Sequence, residues 1–192
     1  MICLMETLTG DDKFMRKKVD TFRYIVEANK LMRKDGLFLV AQGEEDKRPN
    51  TMTIGWGFLG TMWSRPVFVV AVRHSRHTFK HMENSESFTV CLPAKNMEEE
   101  LEICGTKSGR DMDKFKEMGF TALNGETVGA PYIKECPVHF ECKIIYKDDL
   151  APDSLPKELM SDVYSTKDMH KIYYGEVTGV YAVEDSDSRL ME

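Results

Sequence analysis

The sequence predicts a mainly β fold with inserted helices, an antiparallel barrel in a single domain spanning 1–192. Three observations carry this. The 192 residues suffice for one substantial core and are too few for two ordinary ones. Short apolar or alternating runs recur with only occasional helical stripes between them, unlike the regular strand–helix alternation of a doubly wound sheet. No strand is followed by Gly-x-Gly-x-x-Gly, so the phosphate-binding turn of that sheet is missing too.

In chain order, Phe22, Ile25, Val26, Ala28, Leu31 and Met32 share one helical stripe, giving a helix over about 18–34 that ends at Lys34-Asp35-Gly36. Residues 37–41 are a short buried strand, and 43–49 a charged hairpin connection. From 51 to 58 the residues alternate. Met52, Ile54, Trp56 and Phe58 form a bulky face fit for the core, and Thr51, Thr53, Gly55 and Gly57 a small face against which a flat ligand can lie. Residues 67–72 are apolar throughout, as in a strand covered on both faces. Ser75 is placed to cap a helix running to about Asn84, and 88–92 is again a strand. Residues 97–104 read as a helix with Glu98, Glu99 and Glu100 in its first turn, where the macrodipole favours them. A glycine-containing loop over 104–110 leads to a short helix around 113–118. The last long strands, 138–146 and 171–183, are separated by an excursion over 148–169, and 184–192 is a polar, frayed tail.

The content of 42% hydrophobic and 30% charged residues is that of a folded globular chain, and the net charge of −6 argues against a nucleic-acid partner. No apolar run approaches the roughly 20 residues of a membrane span, and the start of the chain lacks the basic and apolar regions of a signal peptide. The five cysteines, at 3, 91, 104, 136 and 142, have no disulfide-framework spacing. They are expected to be reduced thiols in a cytoplasmic protein.

Positive charge concentrates at two places. Arg73-His74-Ser75-Arg76-His77-Thr78 puts two arginines and two hydroxyls at a helix start. That set suits a phosphate, although it also fits a solvated helix start whose arginines pair with carboxylates. Gly105-Thr106-Lys107-Ser108-Gly109-Arg110-Asp111 has the same composition without the Walker A order, and alone fits an exposed turn equally well. Two such loops in one acidic domain favour a shared anionic ligand. Cys136-x-x-His139-x-x-Cys142 puts its histidine on the opposite strand face from its cysteines and has no fourth ligand, so no metal site is expected. No nucleophile elbow or Cys/His signature supports a hydrolase. His170, at the start of the last strand, is either an exposed histidine or one that contacts a cofactor or shuttles a proton.

Several of these segments together resemble the flavin reductase-like family, and within it the flavoredoxin type. They are Asn50-Thr51-Met52-Thr53-Ile54-Gly55-Trp56, Arg73 to Thr78, and Cys104 to Asp111 with Asp113-Lys114-Phe115. The stretch from Ala130-Pro131-Tyr132-Ile133 through Cys136-Pro137-Val138-His139-Phe140-Glu141-Cys142-Lys143 and the closing Tyr173-Tyr174-Gly175-Glu176-Val177 also fit. The resemblance covers about 19–183 in the family's order. It implies an FMN-binding split β-barrel that forms a homodimer with FMN near the interface. By position, Asn50, Met52, Thr53, Ile54, Gly55 and Trp56 would line the flavin ring, with backbone and Thr hydroxyl groups at its polar edge. Arg73, Ser75, Arg76 and Thr78 would hold the phosphate, and Lys107, Ser108 and Arg110 would close over the cofactor. His170 is the candidate catalytic residue. Nicotinamide-using members often carry Gly-Asp-His ahead of the last strand; here Lys167-Asp168-Met169-His170 lacks that glycine and separates Asp from His. That departure weighs against direct hydride transfer from the nicotinamide and leaves open an electron carrier fed by another redox protein. The implied function is an FMN-dependent oxidoreductase passing electrons from NADH, NADPH or a redox-protein partner to an acceptor. A non-catalytic FMN-binding or sensing protein is the alternative.

Overall fold

The structure, a computed structural model, describes residues 15–43 and 47–191. Its strands are β1 (Arg16–Lys18), β2 (Leu37–Ala41), β3 (Asn50–Ile54), β4 (Gly57–Met62), β5 (Arg65–Arg73), β6 (Ser87–Leu92), β7 (Ala122–Asn124), β8 (Pro131–Ile133), β9 (Val138–Asp149) and β10 (His170–Val183). The helices are α1 (Ile25–Lys34), α2 (His77–Glu83), α3 (Glu98–Thr106), α4 (Lys114–Glu117), α5 (Lys157–Val163) and α6 (Ser186–Arg189). A 3-10 turn covers Pro152–Ser154.

One antiparallel sheet runs β3-β2-β6-β9-β10-β5-β4, with β1 added to β10. Its first and last members, β3 and β4, are consecutive in the chain and joined by Gly55 and Trp56. The sheet is therefore rolled so that its two edges meet through a covalent corner rather than a ladder of hydrogen bonds. This is the expected antiparallel barrel, open at one seam. Apolar residues fill it because the strands turn their long side chains inward: Phe38, Phe68, Phe88 and Phe140 are fully buried, and the rings of Phe68 and Phe140 meet edge-on at 5.3 Å.

The corner corrects the expected single strand over 51–58. Met52 and Ile54 are buried, but past the corner Trp56 and Phe58 are 45% and 51% exposed. Trp56 accepts a hydrogen bond through its carbonyl from Ala71 N, and the chain continues along β5 instead of β2. Gly57 lies at φ +154°, and a Cβ there would drive into the Val69 carbonyl oxygen.

Other boundaries also move. The first helix begins at Ile25, not near 18, because Arg16–Lys18 pairs with β10 as a strand. Arg16 is fastened to the buried Glu141 at 2.6 Å and lies over the Tyr132 and Tyr181 rings. Ser75 does not cap α2: Arg76 occupies the N-cap, with no side-chain cap bond. α3 runs to Thr106, two residues beyond the expected end. The tail up to 191 is not frayed, since Leu190 bridges to Ala94 and Leu190 and Met191 are both buried. Cys136 precedes β9 and is not on the strand, and Cys136, His139 and Cys142 are all buried. His139 Nε2 is 2.9 Å from the Ile133 carbonyl oxygen. The β7–β8 hairpin had no counterpart among the expected elements. Cys3, the chain start and residues 44–46 of the expected hairpin lie outside the described residues. Among the described residues no helix is long and apolar enough to cross a membrane.

Candidate functional site

The two basic turns face each other. Arg110 Nη2 donates to the Ser75 carbonyl oxygen at 3.2 Å, and Arg76 Nη2 donates to the Gly105 carbonyl oxygen. Between them lies a cavity of about 120 Å³ whose wall includes Met52, Ser75, Arg76, Thr78, Lys107, Ser108 and Arg110. Seven of the residues expected from the sequence thus come together. A neighbouring cavity of about 470 Å³ shares His77, Gly109, Arg110 and Lys114 with it and adds Arg48 and Asn50.

Two of the hydroxyl donors in the smaller cavity are held by the fold. Thr78 is 2% exposed, and its oxygen accepts from Asn50 Nδ2 at 2.8 Å, leaving the hydroxyl proton for a ligand. Asn50 therefore positions Thr78. The Ser108 oxygen accepts from Arg110 N at 3.2 Å, so its proton is likewise available. Gly109 is packed where no side chain fits: a Cβ would run into Asn50 Oδ1 and lie 2.7 Å from His77 Cδ2. The donor set of two guanidiniums, a lysine and hydroxyls suits a phosphate, and the tight turn at Gly109 is what brings the second loop within reach.

The other expected residues lie elsewhere. Ile54 is buried in the core. The Thr53 hydroxyl donates to the Leu101 carbonyl oxygen at 2.6 Å, tying β3 to α3 instead of presenting its proton to a ring edge. Gly55 is exposed at the barrel corner. Arg73 does not reach the small cavity: it donates to the carbonyl oxygens of Asp168 at 2.6 Å and Val163 at 3.3 Å. Its guanidinium stands 5.7 Å from the Trp56 ring centre and 5.4 Å from that of Tyr164. His170 completes this second corner, 4.6 Å from Trp56 between ring centres, with Nδ1 2.9 Å from the Tyr164 hydroxyl. Burial first, then the Arg73 charge, push His170 down to about 4, with Asp168 opposing, so the imidazole is neutral near pH 7. Ser75 joins the two corners, its hydroxyl donating to Asp168 Oδ2 at 2.6 Å while its carbonyl accepts from Arg110.

Three residues at the site escaped the sequence reading. Tyr164 carries no local signal, and Asp168 stood only in a degraded motif. Lys114 lines both cavities and is the only lysine or arginine buried among the described residues, at 4% exposure. Its place in the Asp113-Lys114-Phe115 match was the signal available.

Residues 33–191 match the family model described as "Flavin reductase like domain". An uncharacterised protein of Archaeoglobus fulgidus is 30% identical over 108 residues, 56% of this chain and 59% of its own length. The structure of flavoredoxin from Desulfovibrio vulgaris superposes with a TM-score of 0.62 at 26% identity, covering 82% of this chain and 76% of that one. The FMN-binding domain of a flavin reductase-like enzyme from Shewanella baltica gives 0.61 at 17% identity, covering 88% and 78%, a likeness of fold. The architecture is thus that of the FMN-binding split barrels.

Proposed function

Because this chain belongs to the flavin reductase like domain family, we propose that it is an FMN-dependent oxidoreductase of the flavoredoxin type, passing electrons from NADH, NADPH or a redox-protein partner to an acceptor. The observation that carries this reading is the pairing of the two basic turns across one small cavity. At about 120 Å³ it is well below the about 300–1,000 Å³ of a whole small-molecule site. It suits the phosphate end of a nucleotide and not its ring. Arg76, Thr78, Lys107, Ser108 and Arg110 would hold that phosphate. Met52, Gly55 and Trp56, running from the cavity wall to the exposed corner, would meet the ring. When bound, FMN supplies the redox chemistry, and the chain's task is to bind it, orient it and govern access.

His170 is neutral at pH 7, hydrogen-bonded to Tyr164 and packed on Trp56. A neutral, packed imidazole supports a positioning role at the Trp56 corner more than that of a free proton shuttle. The same observation favours the electron carrier over a reductase needing a side-chain acid. A non-catalytic FMN-binding protein differs only in lacking turnover. The half-exposed Trp56 and Phe58 support a homodimer in which a second copy covers the corner. The four described cysteines are all buried free thiols, which supports a cytoplasmic setting.

The test is spectroscopic. Purified protein is expected to take up FMN and, without air, to lose its flavin absorbance on addition of NADH, NADPH or a reduced protein donor, with turnover when a flavin, ferric or quinone acceptor follows. Bleaching by a protein donor alone identifies the carrier. Uptake of FMN without turnover in any combination identifies the non-catalytic binder, and no uptake at all overturns the proposal.

A further inference from the structure

We propose that Lys114 is an unassigned member of the phosphate clamp, its ammonium donating to the phosphate of the flavin held between the two turns. The inference rests on the FMN reading above and adds a residue to it.

Lys114 opens α4, and its ammonium reaches back across the loop. Nζ donates to the Thr51 carbonyl oxygen of β3 at 2.9 Å and to the Cys104 carbonyl oxygen of α3 at 2.7 Å. An ammonium has three N–H donors, and Lys114 lines both cavities, so one donor remains for a ligand there. Among the described residues it makes no ion pair.

That combination is costly without an anion. A buried charge is normally paired, and a cation held only by carbonyl dipoles shifts toward its neutral form. The last turn of α3, to which the Cys104 carbonyl belongs, offsets part of the charge. Arg76 acts the other way. Burial pushes Lys114 down to about 8, the Cys104 thiol opposes this, and the Arg76 charge adds to the fall. A purely structural link between β3 and α3 needs only a neutral donor. A lysine kept beside a second cation, on the wall of a cavity already ringed by Arg76, Lys107 and Arg110, is explained by an anion arriving there. Phosphate is the anion the two turns are built for, and its roughly two negative charges would offset about half of the charge carried by the four cations while giving each of them an acceptor.

The decisive comparison is FMN against riboflavin, which differ only in the phosphate, titrated by fluorescence quenching into wild type and Lys114→Met. The variant is expected to lose about tenfold to a hundredfold in FMN affinity, the range for a hydrogen bond to a charged group, while riboflavin affinity is unchanged. An equal loss for both ligands, or no loss for either, would assign Lys114 to the scaffold and overturn the inference. Wild type that binds neither ligand would overturn the FMN reading itself. Should the variant fail to fold, ¹⁵N-lysine-labelled wild type answers instead. The slowly exchanging ammonium of Lys114, the one buried lysine among the described residues, is expected to shift with FMN and stay in place with riboflavin; a shift with both, or with neither, contradicts the role.

Discussion

Arg73 and Arg76 are three residues apart in one motif, yet they end in opposite environments. Arg73 is satisfied by the fold: two carbonyl oxygens, the Asp168 carboxylate at 3.9 Å and two aromatic faces surround it. Among the described residues the Arg76 side chain makes one hydrogen bond, to the Gly105 carbonyl, and otherwise borders the cavity with Lys107, Arg110 and Lys114. The Arg73 corner is charge-balanced, whereas the Arg76 corner carries surplus positive charge beside open space. An arginine's role thus follows from whether the fold already supplies its acceptors.

The two corners should first separate by pH. His170 sits folded at about 4 against 6.5 for an ordinary histidine, so its neutral form is the one the fold favours. Its contribution is complete above pH 6.5 and falls by about 1.4 kcal/mol per pH unit toward pH 4. His139, pushed down to about 3 by burial, adds a loss of its own, so the share of His170 is the part that His170→Gln removes from an acid denaturation series. Lys114 works at the other end: with its folded value near 8, ligand-free protein should gain stability as pH rises from 8 toward 10.5. Denaturant midpoints across that window check the sign.

Next in size are the arginines themselves. Arg76→Met should cost about a hundredfold in FMN affinity, the scale of a charged hydrogen bond lost, with little change in the melting temperature. Arg73→Met should do the reverse, lowering stability by about 2 kcal/mol through orphaned carbonyls and leaving FMN affinity within a few fold. Calorimetric titration and thermal melts on the same two variants would break the comparison if both arginines moved the same observable. A smaller effect is expected from Gly109→Ala, which forces the loop away from Asn50 and His77 and should weaken FMN binding by about tenfold, roughly 1.4 kcal/mol. Smallest is Thr53→Val, which removes the bond to Leu101 and should cost about 1 kcal/mol of stability, read by urea denaturation.

The sequence exposed the barrel because its strands are apolar runs with clear turns, and most of the clamp because Arg76, Lys107, Ser108 and Arg110 lie in two compositionally alike loops. What stayed hidden depends on distant partners. The alternation of Met52, Ile54, Trp56 and Phe58 runs unbroken through a corner that only the pairing of Gly57 with Val70 reveals. Arg16–Lys18 has the composition of a solvated segment, and becomes a strand because Glu141, 125 residues away, neutralises Arg16. Leu190 and Met191 are seated by Pro93 and Ala94, which no local pattern announces. The fate of Arg73 was invisible for the same reason, since its acceptors are backbone carbonyls of the 148–169 excursion. Lys114 looks from the sequence like an ordinary cation at a helix start.

The most direct measurement is a calorimetric titration of wild-type protein with FMN and with riboflavin at one pH and salt concentration. A clamp built around the phosphate should make FMN bind about a hundredfold more tightly than riboflavin, and Arg76→Met should erase most of that preference while Arg73→Met keeps it. Equal affinities for the two ligands, or a preference that disappears with Arg73 instead, would contradict the assignment of the cavity between the turns.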